Sequence, residues 1–261
     1  MEKPILSVKN LSVEFETERG IIRAADRVSF DIGRGEILGL VGESGCGKSV
    51  SALALLRLIP SPPGRIAGGE VTLNGRHLLT MPIEHLRGVR GRDISMIFQE
   101  PMTSLSPLHR IGSQMVEIMR LHTNISERDA WREAEEWLEK VGLSDSHERL
   151  YAYPYQLSGG MRQRVMIAMA LMLYPDLIVA DEPTTALDVT VQSKIFDLIL
   201  ETKERETSML LITHDMGVIW EMCDRVLVMY ASRVVEEGTI PQIFSNPAHP
   251  YTRGLLAAVP S

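Results

Sequence analysis

The order of apolar and polar positions along the chain predicts two kinds of β-strand. Three segments alternate between apolar and polar residues and are punctuated by Gly, Asn and Asp, which is typical of antiparallel strands and hairpins; they are residues 6–15, 21–32 and 70–73. Four segments are continuously apolar, as strands buried on both faces of a parallel sheet are; they are residues 37–42, 177–181, 209–213 and 226–230. We therefore expect an antiparallel sheet and a parallel one.

Helical periodicity predicts helices between the buried strands. Apolar residues recur at helical spacing in residues 161–172 and again in residues 191–202. Residues 100–174 contain no convincing strand, and within them Ser126 with Asp129 predicts a capping box at a helix start. The pattern indicates an α/β protein whose parallel-sheet core is interrupted by a helical insert, with no internal repeat.

The composition narrows the class of protein. With 261 residues, 44% hydrophobic and 23% charged, the chain is long enough for one large α/β domain with a smaller insert and is unlike a disordered chain. Its 27 basic and 34 acidic side chains give a net charge of −7, which disfavours general nucleic-acid binding. Two cysteines cannot form a disulfide scaffold or a zinc ribbon. The apolar run at residues 166–173 is too short to span a membrane, and the N-terminus lacks a signal-peptide core, so we expect a soluble, cytoplasmic protein.

A glycine-rich loop follows the first buried strand. Residues 42–49, GESGCGKS, match the pattern G-x-x-x-x-G-K-[ST]. The glycines let successive backbone N–H groups turn toward phosphate oxygens, and the helix that begins near Lys48 adds the positive end of its dipole. The Lys48 ammonium can reach the β- and γ-phosphates, and the Ser49 hydroxyl can bind Mg²⁺. We therefore predict a nucleotide site in this phosphate loop, with Cys46 as a small packing residue.

Polar side chains follow two other buried strands. Asp181 ends one strand and Glu182 comes next, where one carboxylate can hold the Mg²⁺ shell and the other can polarise an attacking water. A strand that ends in Asp-Glu is weak evidence by itself, but together with the phosphate loop it indicates an NTPase. His214 follows the strand 209–213, where either a ligand contact or an ordinary surface histidine is expected.

A second glycine pair precedes the helix predicted at residues 161–172. In residues 157–164, LSGGMRQR, the residues Ser158, Gly159 and Gly160 lead into that helix and make its N-terminus ready to bind an anion. One chain thus holds two phosphate-binding helix ends. This arrangement suggests that the two ends close on one nucleotide from opposite sides.

These motifs, in this order, resemble those of the ATP-binding subunits of ABC transporters over about residues 5–260. In addition to the loops above, LSGGM at residues 157–161 is the signature motif of that family, IFQEP puts Gln99 at the Q-loop and TALD puts Asp188 at the D-loop. The resemblance implies a P-loop NTPase (RecA-like) fold, in which a parallel-sheet core carries an antiparallel β subdomain and an inserted helical subdomain. The domains that it implies are the first and second parts of the core, the helical subdomain and a C-terminal tail, at residues 1–99, 174–240, 100–173 and 241–261.

The resemblance also implies roles for individual residues. Glu182, His214 and Gln99 are the expected catalytic residues. Glu182 orients or deprotonates water, and the other two contact the γ-phosphate and so sense its presence. Mg²⁺ is expected at Ser49, Gln99 and Asp181. ATP is expected to contact the phosphate loop, the signature, the D-loop and an aromatic residue that stacks on adenine; these residues are Gly42, Glu43, Ser44, Gly45, Cys46, Gly47, Lys48, Ser49, Val50, Ser158, Gly159, Gly160, Asp188 and, as the best candidate for the aromatic, Phe15.

The resemblance implies partners as well. Two such subunits enclose two ATP molecules, and each site combines the phosphate loop of one subunit with the signature of the other. This chain carries one of each, so it is expected to pair with a copy of itself or with a homologous subunit. Transmembrane permease subunits are expected as partners, an extracytoplasmic solute-binding protein indirectly, and nucleic acid not at all. The expected location is peripheral, on the cytoplasmic face of the cell membrane.

Four segments narrow the resemblance to the peptide/nickel importer group; they are residues 100–115, 153–173, 181–192 and 246–261. The last segment contains HPYT and is the most distinctive. The chain departs from the group in two ways. SLSP at residues 104–107 replaces the usual SLNP. Many dipeptide and oligopeptide members also continue into a cysteine-rich tail that binds an iron–sulfur cluster, whereas this sequence ends at Ser261. Cys46 and Cys223 cannot supply such a site. We therefore expect ATP and Mg²⁺ as cofactors but no iron–sulfur cluster. Either the chain is a member of the group without that tail, or it has been shortened.

The main hypothesis is the ATPase subunit of an importer for di- or oligopeptides or a related small solute, and the alternative is a nickel or metal-chelate importer of the same group. An exporter and a soluble DNA-repair ATPase are the remaining hypotheses. The acidic balance argues against DNA repair. The motif spacing does so too, because Lys48 and Ser158 are only 110 positions apart, whereas such ATPases separate the two motifs by a long coiled coil. The 14 methionines are expected to pack in the core, and the histidines lack metal-ligand spacing.

Overall fold

The computed structural model describes residues 3–100, 104–184 and 189–258. Its strands, in chain order, are β1 (Leu6–Thr17), β2 (Gly20–Ile32), β3 (Ile37–Val41), β4 (Gly64–Leu73), β5 (Arg76–His77), β6 (Ile94–Ile97), β7 (Leu177–Asp181), β8 (Ser208–Ile212), β9 (Arg225–Tyr230) and β10 (Arg233–Thr239). Its helices are α1 (Lys48–Leu55), α2 (Ile83–Val89), α3 (Ile111–His122), α4 (Glu127–Lys140), α5 (Ser146–Leu150), α6 (Gly159–Leu171), α7 (Val189–Thr202), α8 (Met216–Met222), α9 (Ile240–Ser245) and α10 (Pro250–Ala257).

The chain divides into two compact units. The first unit comprises Met1–Arg87 and Ser208–Ser261, and the second comprises Gly88–Thr207. The first unit is thus built from two separate stretches of sequence, and the second is one continuous stretch.

An antiparallel sheet with the strand order β2-β1-β4-β5 lies in the first unit. In its register Val8 lies opposite Phe30 of β2 and Val71 of β4, and all three side chains are buried. The alternating pattern that predicted these strands therefore arises because one face of the sheet packs against the core. Strand β4 begins at Gly64, earlier than its alternating part, because residues 64–68 pair with β1 without an alternating pattern.

The other sheet strands of the first unit run in the order β10-β9-β3-β8. β3 is parallel to both β8 and β9, so Leu40 lies opposite Ile212 on one side and Leu227 on the other. Every residue of β3 and β8 is buried, which explains their continuous apolar sequence. Since these strands are parallel, the loops that follow β3 and β8 leave from the same edge of the sheet.

The second unit contains a parallel pair of strands and a set of helices. β6 and β7 pair in parallel, with Ile97 opposite Ala180. The described residues between 104 and 174 contain helices and no strand, as predicted. Helix α4 is capped by Ser126, whose Oγ accepts a hydrogen bond from the Asp129 N–H at 3.1 Å and donates one to Asp129 Oδ2 at 2.6 Å. This differs from the predicted capping box, because the carboxylate binds the hydroxyl group rather than a backbone N–H.

Two carboxylates of the antiparallel sheet are held by arginine side chains. Glu14 accepts hydrogen bonds from Arg65 at 2.8 Å and from Arg23 at 2.9 Å, and Asp26 accepts one from Arg233 at 2.6 Å. The bonds from Arg65 and Arg23 lower the pKa of Glu14, and the bond from Arg233 lowers the pKa of Asp26. The folded state therefore favours the ionised form of both groups.

This network is expected to make stability depend on pH on the acid side. A carboxylate whose pKa is lowered by folding stabilises the protein above its unfolded pKa of about 4, and this contribution is lost as the pH falls through the lowered value. The melting temperature of the wild type should therefore fall more steeply below about pH 4 than that of Glu14→Gln. Asp31→Asn, which changes an exposed carboxylate of β2, is the matched control. Equal acid dependence in Glu14→Gln and wild type would contradict the prediction.

Candidate nucleotide-binding and catalytic residues

The phosphate loop follows β3 and turns at three glycines. Gly42, Gly45 and Gly47 have φ angles of 152°, 81° and 106°. A Cβ atom on Gly42 would lie 2.2 Å from the Met229 carbonyl oxygen, and one on Gly47 would lie 2.0 Å from the Ala24 carbonyl oxygen. Both positions therefore require glycine, for their backbone conformation and for the close approach of a neighbouring chain segment.

Lys48 is buried at the first position of α1, with 4% of its surface exposed. Its Nζ donates hydrogen bonds to the carbonyl oxygens of Gly42 at 2.8 Å and Glu43 at 3.0 Å. A buried ammonium needs such partners, because its desolvation is costly. The arrangement holds a positive charge against the inner side of the loop, where phosphate oxygens can replace the carbonyl groups.

The remaining positions of the loop differ in exposure. Glu43, Ser44 and Gly45 are exposed at its tip, and Ser49 is half-buried in the first turn of α1 beside Val50. Cys46 is buried, and burial raises the pKa of its thiol, with Lys48 acting in the opposite direction. The neutral thiol therefore packs inside the loop, as expected of a small filler.

His214 leaves the sheet at the edge from which the phosphate loop also leaves. β8 is parallel to β3, and Thr213 N–H still bonds to Leu40 O at 3.4 Å. The next residue, Asp215, caps α8 by accepting a hydrogen bond from the Gly217 N–H at 2.8 Å. The strand and the capped helix therefore fix the backbone on both sides of His214, and its side chain is exposed.

Phe15 is half-buried near the end of β1. It lies opposite Ile22 of β2 and Gly64 of β4. Ile22 is 57% exposed and the neighbouring Ile21 62%, so the hairpin carries apolar surface at its tip. A stacking role for Phe15 stays a prediction.

The second unit brings Gln99 and Glu182 together. Because β6 and β7 are parallel neighbours, the residues that follow them lie side by side, and Gln99 Nε2 donates a hydrogen bond to Glu182 Oε2 at 3.2 Å. Asp181 is buried at the end of β7. Glu182 has a φ of 44°, in the left-handed region that non-glycine residues avoid. Such backbone strain, about 1–3 kcal/mol, is concentrated at functional sites in proteins.

The signature forms an open helix N-terminus. Ser158 caps α6, and its Oγ accepts a hydrogen bond from the Met161 N–H at 3.3 Å. Ser158 and Gly159 are exposed, and a Cβ on Gly159 or Gly160 would meet no atom within 4 Å. The first N–H groups of this helix are therefore accessible to an anion. The expected D-loop residue, Asp188, lies outside the described residues.

Gln163 connects the signature helix to the loop after β7 and was missed by the sequence analysis. It is 4% exposed, and its Nε2 donates a hydrogen bond to the carbonyl oxygen of Pro183, the residue after Glu182. The sequence gives no local sign of this contact, because Gln163 stands between Arg162 and Arg164 in the polar first part of the helix.

Gln163→Leu is expected to lower the free energy of unfolding by about 1–3 kcal/mol, because it leaves the Pro183 carbonyl without this hydrogen bond. Urea unfolding followed by circular dichroism measures the change. Gln192→Leu is the comparison: its amide donates to Thr184 O at 3.3 Å from a half-buried position, so a smaller loss is expected. Equal stability of Gln163→Leu and wild type would contradict the assigned contact.

Within residues 3–100, 104–184 and 189–258, no group of three or more His, Cys, Asp and Glu side chains could hold a metal ion. Over the same ranges, no helix has both the length and the apolar character needed to cross a bilayer.

Comparison with known proteins gives matches over nearly the whole chain. Residues 25–185 match the ABC transporter family, and residues 235–261 match the family described as the oligopeptide/dipeptide transporter C-terminal region. A probable peptide ABC transporter ATP-binding protein of Sinorhizobium fredii is 50% identical over 98% of this chain and 77% of its own length. The oligopeptide transport ATP-binding protein OppD of Escherichia coli is 50% identical over 98% of this chain and 76% of its own length. A solved dimeric ATP-binding cassette in a post-hydrolysis state, bound to ADP and Pi, has a TM-score of 0.80 and 27% identity, covering 90% of this chain and 98% of that one.

Proposed function

Because the chain belongs to the ABC transporter family, we propose that it hydrolyses ATP to drive the uptake of di- or oligopeptides through separate membrane permeases. One observation carries the peptide assignment: residues 235–261 match the C-terminal region of oligopeptide/dipeptide transporters. The names of the relatives that align with nearly the whole chain support the same cargo. Nickel and metal chelates are the competing cargo of the group.

In the proposed binding step, the phosphate loop receives the β- and γ-phosphates of ATP. The N–H groups of residues 42–49 other than that of Glu43, including those at the start of α1, donate to phosphate oxygens, and the Glu43 N–H keeps its hydrogen bond to the Tyr251 hydroxyl oxygen. The Lys48 ammonium exchanges the carbonyl oxygens of Gly42 and Glu43 for phosphate oxygens, which carry more negative charge. Phe15 is proposed to stack on adenine, and Asp188 to contact the nucleotide from the D-loop.

Mg²⁺ is proposed to bind oxygen atoms of Ser49, Gln99 and Asp181. A hydroxyl, an amide carbonyl and a carboxylate are the hard oxygen donors that this cation prefers, so the chemistry of the three residues fits it. When bound, the cation offsets negative charge on the phosphate oxygens.

In the proposed hydrolysis step, Glu182 orients the attacking water and accepts its proton. The water oxygen forms a bond to the γ-phosphorus, the bond from that phosphorus to the bridging oxygen of ADP breaks, and the products are ADP and phosphate. The hydrogen bond from Gln99 limits rotation of the Glu182 carboxylate. His214 and Gln99 are proposed to read the γ-phosphate.

The exposed signature supports pairing with a second ATPase subunit. We propose that the N–H groups of Gly159 and Gly160 and the Ser158 hydroxyl contact ATP held by the partner subunit, which is a copy of this chain or a homologue. The proposed assembly docks on transmembrane permeases at the cytoplasmic face of the membrane, and a solute-binding protein delivers the peptide from the other side.

Affinity purification from the native membrane tests this proposal. The tagged chain, extracted in mild detergent, is expected to co-purify with integral membrane permeases and to hydrolyse ATP. Addition of duplex DNA to the same preparation is the control. If DNA stimulates ATP hydrolysis and no permease is retained, the transport proposal is wrong and a DNA-repair function takes its place. If nickel rather than peptide stimulates ATP hydrolysis, the proposed cargo is wrong and nickel is the cargo instead.

A further inference from the structure

Helix α10 begins inside the HPYT segment, residues 249–252, and its first turn contacts the phosphate loop. Both lie in the first unit. Tyr251, in the first turn of α10, accepts a hydrogen bond on its hydroxyl oxygen from the Glu43 N–H at 2.9 Å. Glu43 is the second residue of the phosphate loop, and its own carbonyl oxygen accepts a hydrogen bond from Lys48 Nζ at 3.0 Å. A single loop residue therefore connects the Tyr251 hydroxyl to the ammonium that is proposed to bind phosphate.

The first turn of α10 is itself fixed to the sheet. The Glu236 side chain on β10 accepts hydrogen bonds from the N–H groups of Ala248 at 2.6 Å and His249 at 3.0 Å. His249 then caps the helix, because its Nδ1 accepts a hydrogen bond from the Tyr251 N–H at 3.2 Å. These three bonds set the position of the Tyr251 backbone relative to the strands that carry the phosphate loop.

Packing sets the direction of the Tyr251 ring. The ring lies against Tyr230, with 4.4 Å between the ring centroids, and packs on a buried cluster that includes Val41, the last residue of β3. Burial raises the pKa of Tyr251, so the hydroxyl group is neutral at physiological pH. Because Tyr230 and the buried cluster fix the ring, the Tyr251 hydroxyl group is held beside the Glu43 N–H.

We propose that Tyr251 is a positioning residue for nucleotide binding, which holds the first half of the phosphate loop in the shape that receives ATP. The inference rests on the proposed ATPase function and deepens it. A glycine-rich loop that is free to move loses conformational entropy when it closes on phosphate, and a hydrogen bond already made in the free protein reduces that cost. The region characteristic of peptide transporters, residues 235–261, thereby acts on the nucleotide loop.

Tyr251→Phe tests the hydroxyl group separately from the ring. We expect it to raise the Kd for ADP and the KM for ATP by roughly threefold to tenfold, the effect of one hydrogen bond, while kcat changes less than about twofold. Calorimetric titration gives the Kd, and steady-state hydrolysis gives KM and kcat. Tyr230→Phe is the matched control, because it removes the hydroxyl of the other ring in the pair, and we expect it to leave all three values unchanged.

A second variant, Tyr251→Ala, removes the ring as well, and the melting temperature of each variant reports its folding. Nucleotide affinity lost in Tyr251→Ala but unchanged in Tyr251→Phe would overturn the inference, since packing alone would then position the loop. Equal losses in Tyr251→Phe and Tyr230→Phe would also overturn it. A wild-type protein that binds no nucleotide would overturn the proposed function and this inference together, whereas wild-type binding matched by Tyr251→Phe overturns the inference alone.

Discussion

Glu182→Gln is expected to lower the kcat of ATP hydrolysis by about 10²- to 10⁴-fold, the usual contribution of a general base. The amide keeps the size of the side chain and its place beside Gln99, but it cannot accept the proton of the attacking water. Release of labelled phosphate under single-turnover conditions measures the chemical step directly. The Kd for ATP should change by less than about threefold, because the loop that is proposed to bind phosphate is untouched.

The matched control is Glu201→Gln, an exposed carboxylate on α7, which should hydrolyse ATP like the wild type. Because Glu182→Gln stops the cycle after ATP has bound, it should also accumulate as a dimer with ATP and not with ADP on size-exclusion chromatography. Wild-type turnover in Glu182→Gln would remove Glu182 from the role of base.

Gly47→Ala is expected to weaken ATP binding by about two to three orders of magnitude. The residue has a φ of 106°, and an added Cβ would lie 2.0 Å from the Ala24 carbonyl oxygen, so the loop must move away from its present shape. Left-handed strain and overpacking together cost about 2–5 kcal/mol, and the N–H groups that face phosphate move with the backbone. Calorimetric titration with ATP measures the loss.

Gly68→Ala is the control for this prediction, because its φ is not in the left-handed region and a Cβ there meets no atom within 4 Å. It should bind ATP with wild-type affinity. Tight ATP binding by Gly47→Ala would show that the loop tolerates a side chain at this position and would contradict the described geometry.

Much of the fold was predictable because its strands carry strong local patterns. The P-loop NTPase fold class and the ABC transporter family are confirmed by the likeness to solved cassettes and by the family match. The buried strands β3, β7, β8 and β9 stand close to their predicted positions, since continuous apolar runs have few alternatives in a parallel sheet.

Three strands were not predicted, for different physical reasons. β5 has only two residues, too few to show any periodicity. β6 is only four residues long, so its apolar run is too short to separate a strand from a buried helix turn. β10 contains Glu236 and Glu237 and is only partly buried, so its sequence lacks a clear apolar pattern. It pairs with β9 through a turn at Ala231 and Ser232, whose φ angles are 46° and 70°.

The contacts between distant residues were beyond the reach of sequence patterns. The motifs predicted that Gln99 and Glu182 belong to one site, but their hydrogen bond depends on how β6 and β7 pair. Tyr251 and Glu43 are 208 positions apart in the chain, and no local signal relates them. Individual site roles, including those of Phe15 and Asp188, stay predictions.

Peptide uptake by a reconstituted complex tests the central claim most directly. The chain would be placed in proteoliposomes with the permeases that co-purify with it and with their solute-binding protein, and accumulation of a labelled oligopeptide would be followed with ATP present on the ATPase side. We predict accumulation that requires ATP and that Lys48→Ala abolishes. ATP hydrolysis without peptide accumulation, or accumulation that Lys48→Ala leaves unchanged, would contradict the account.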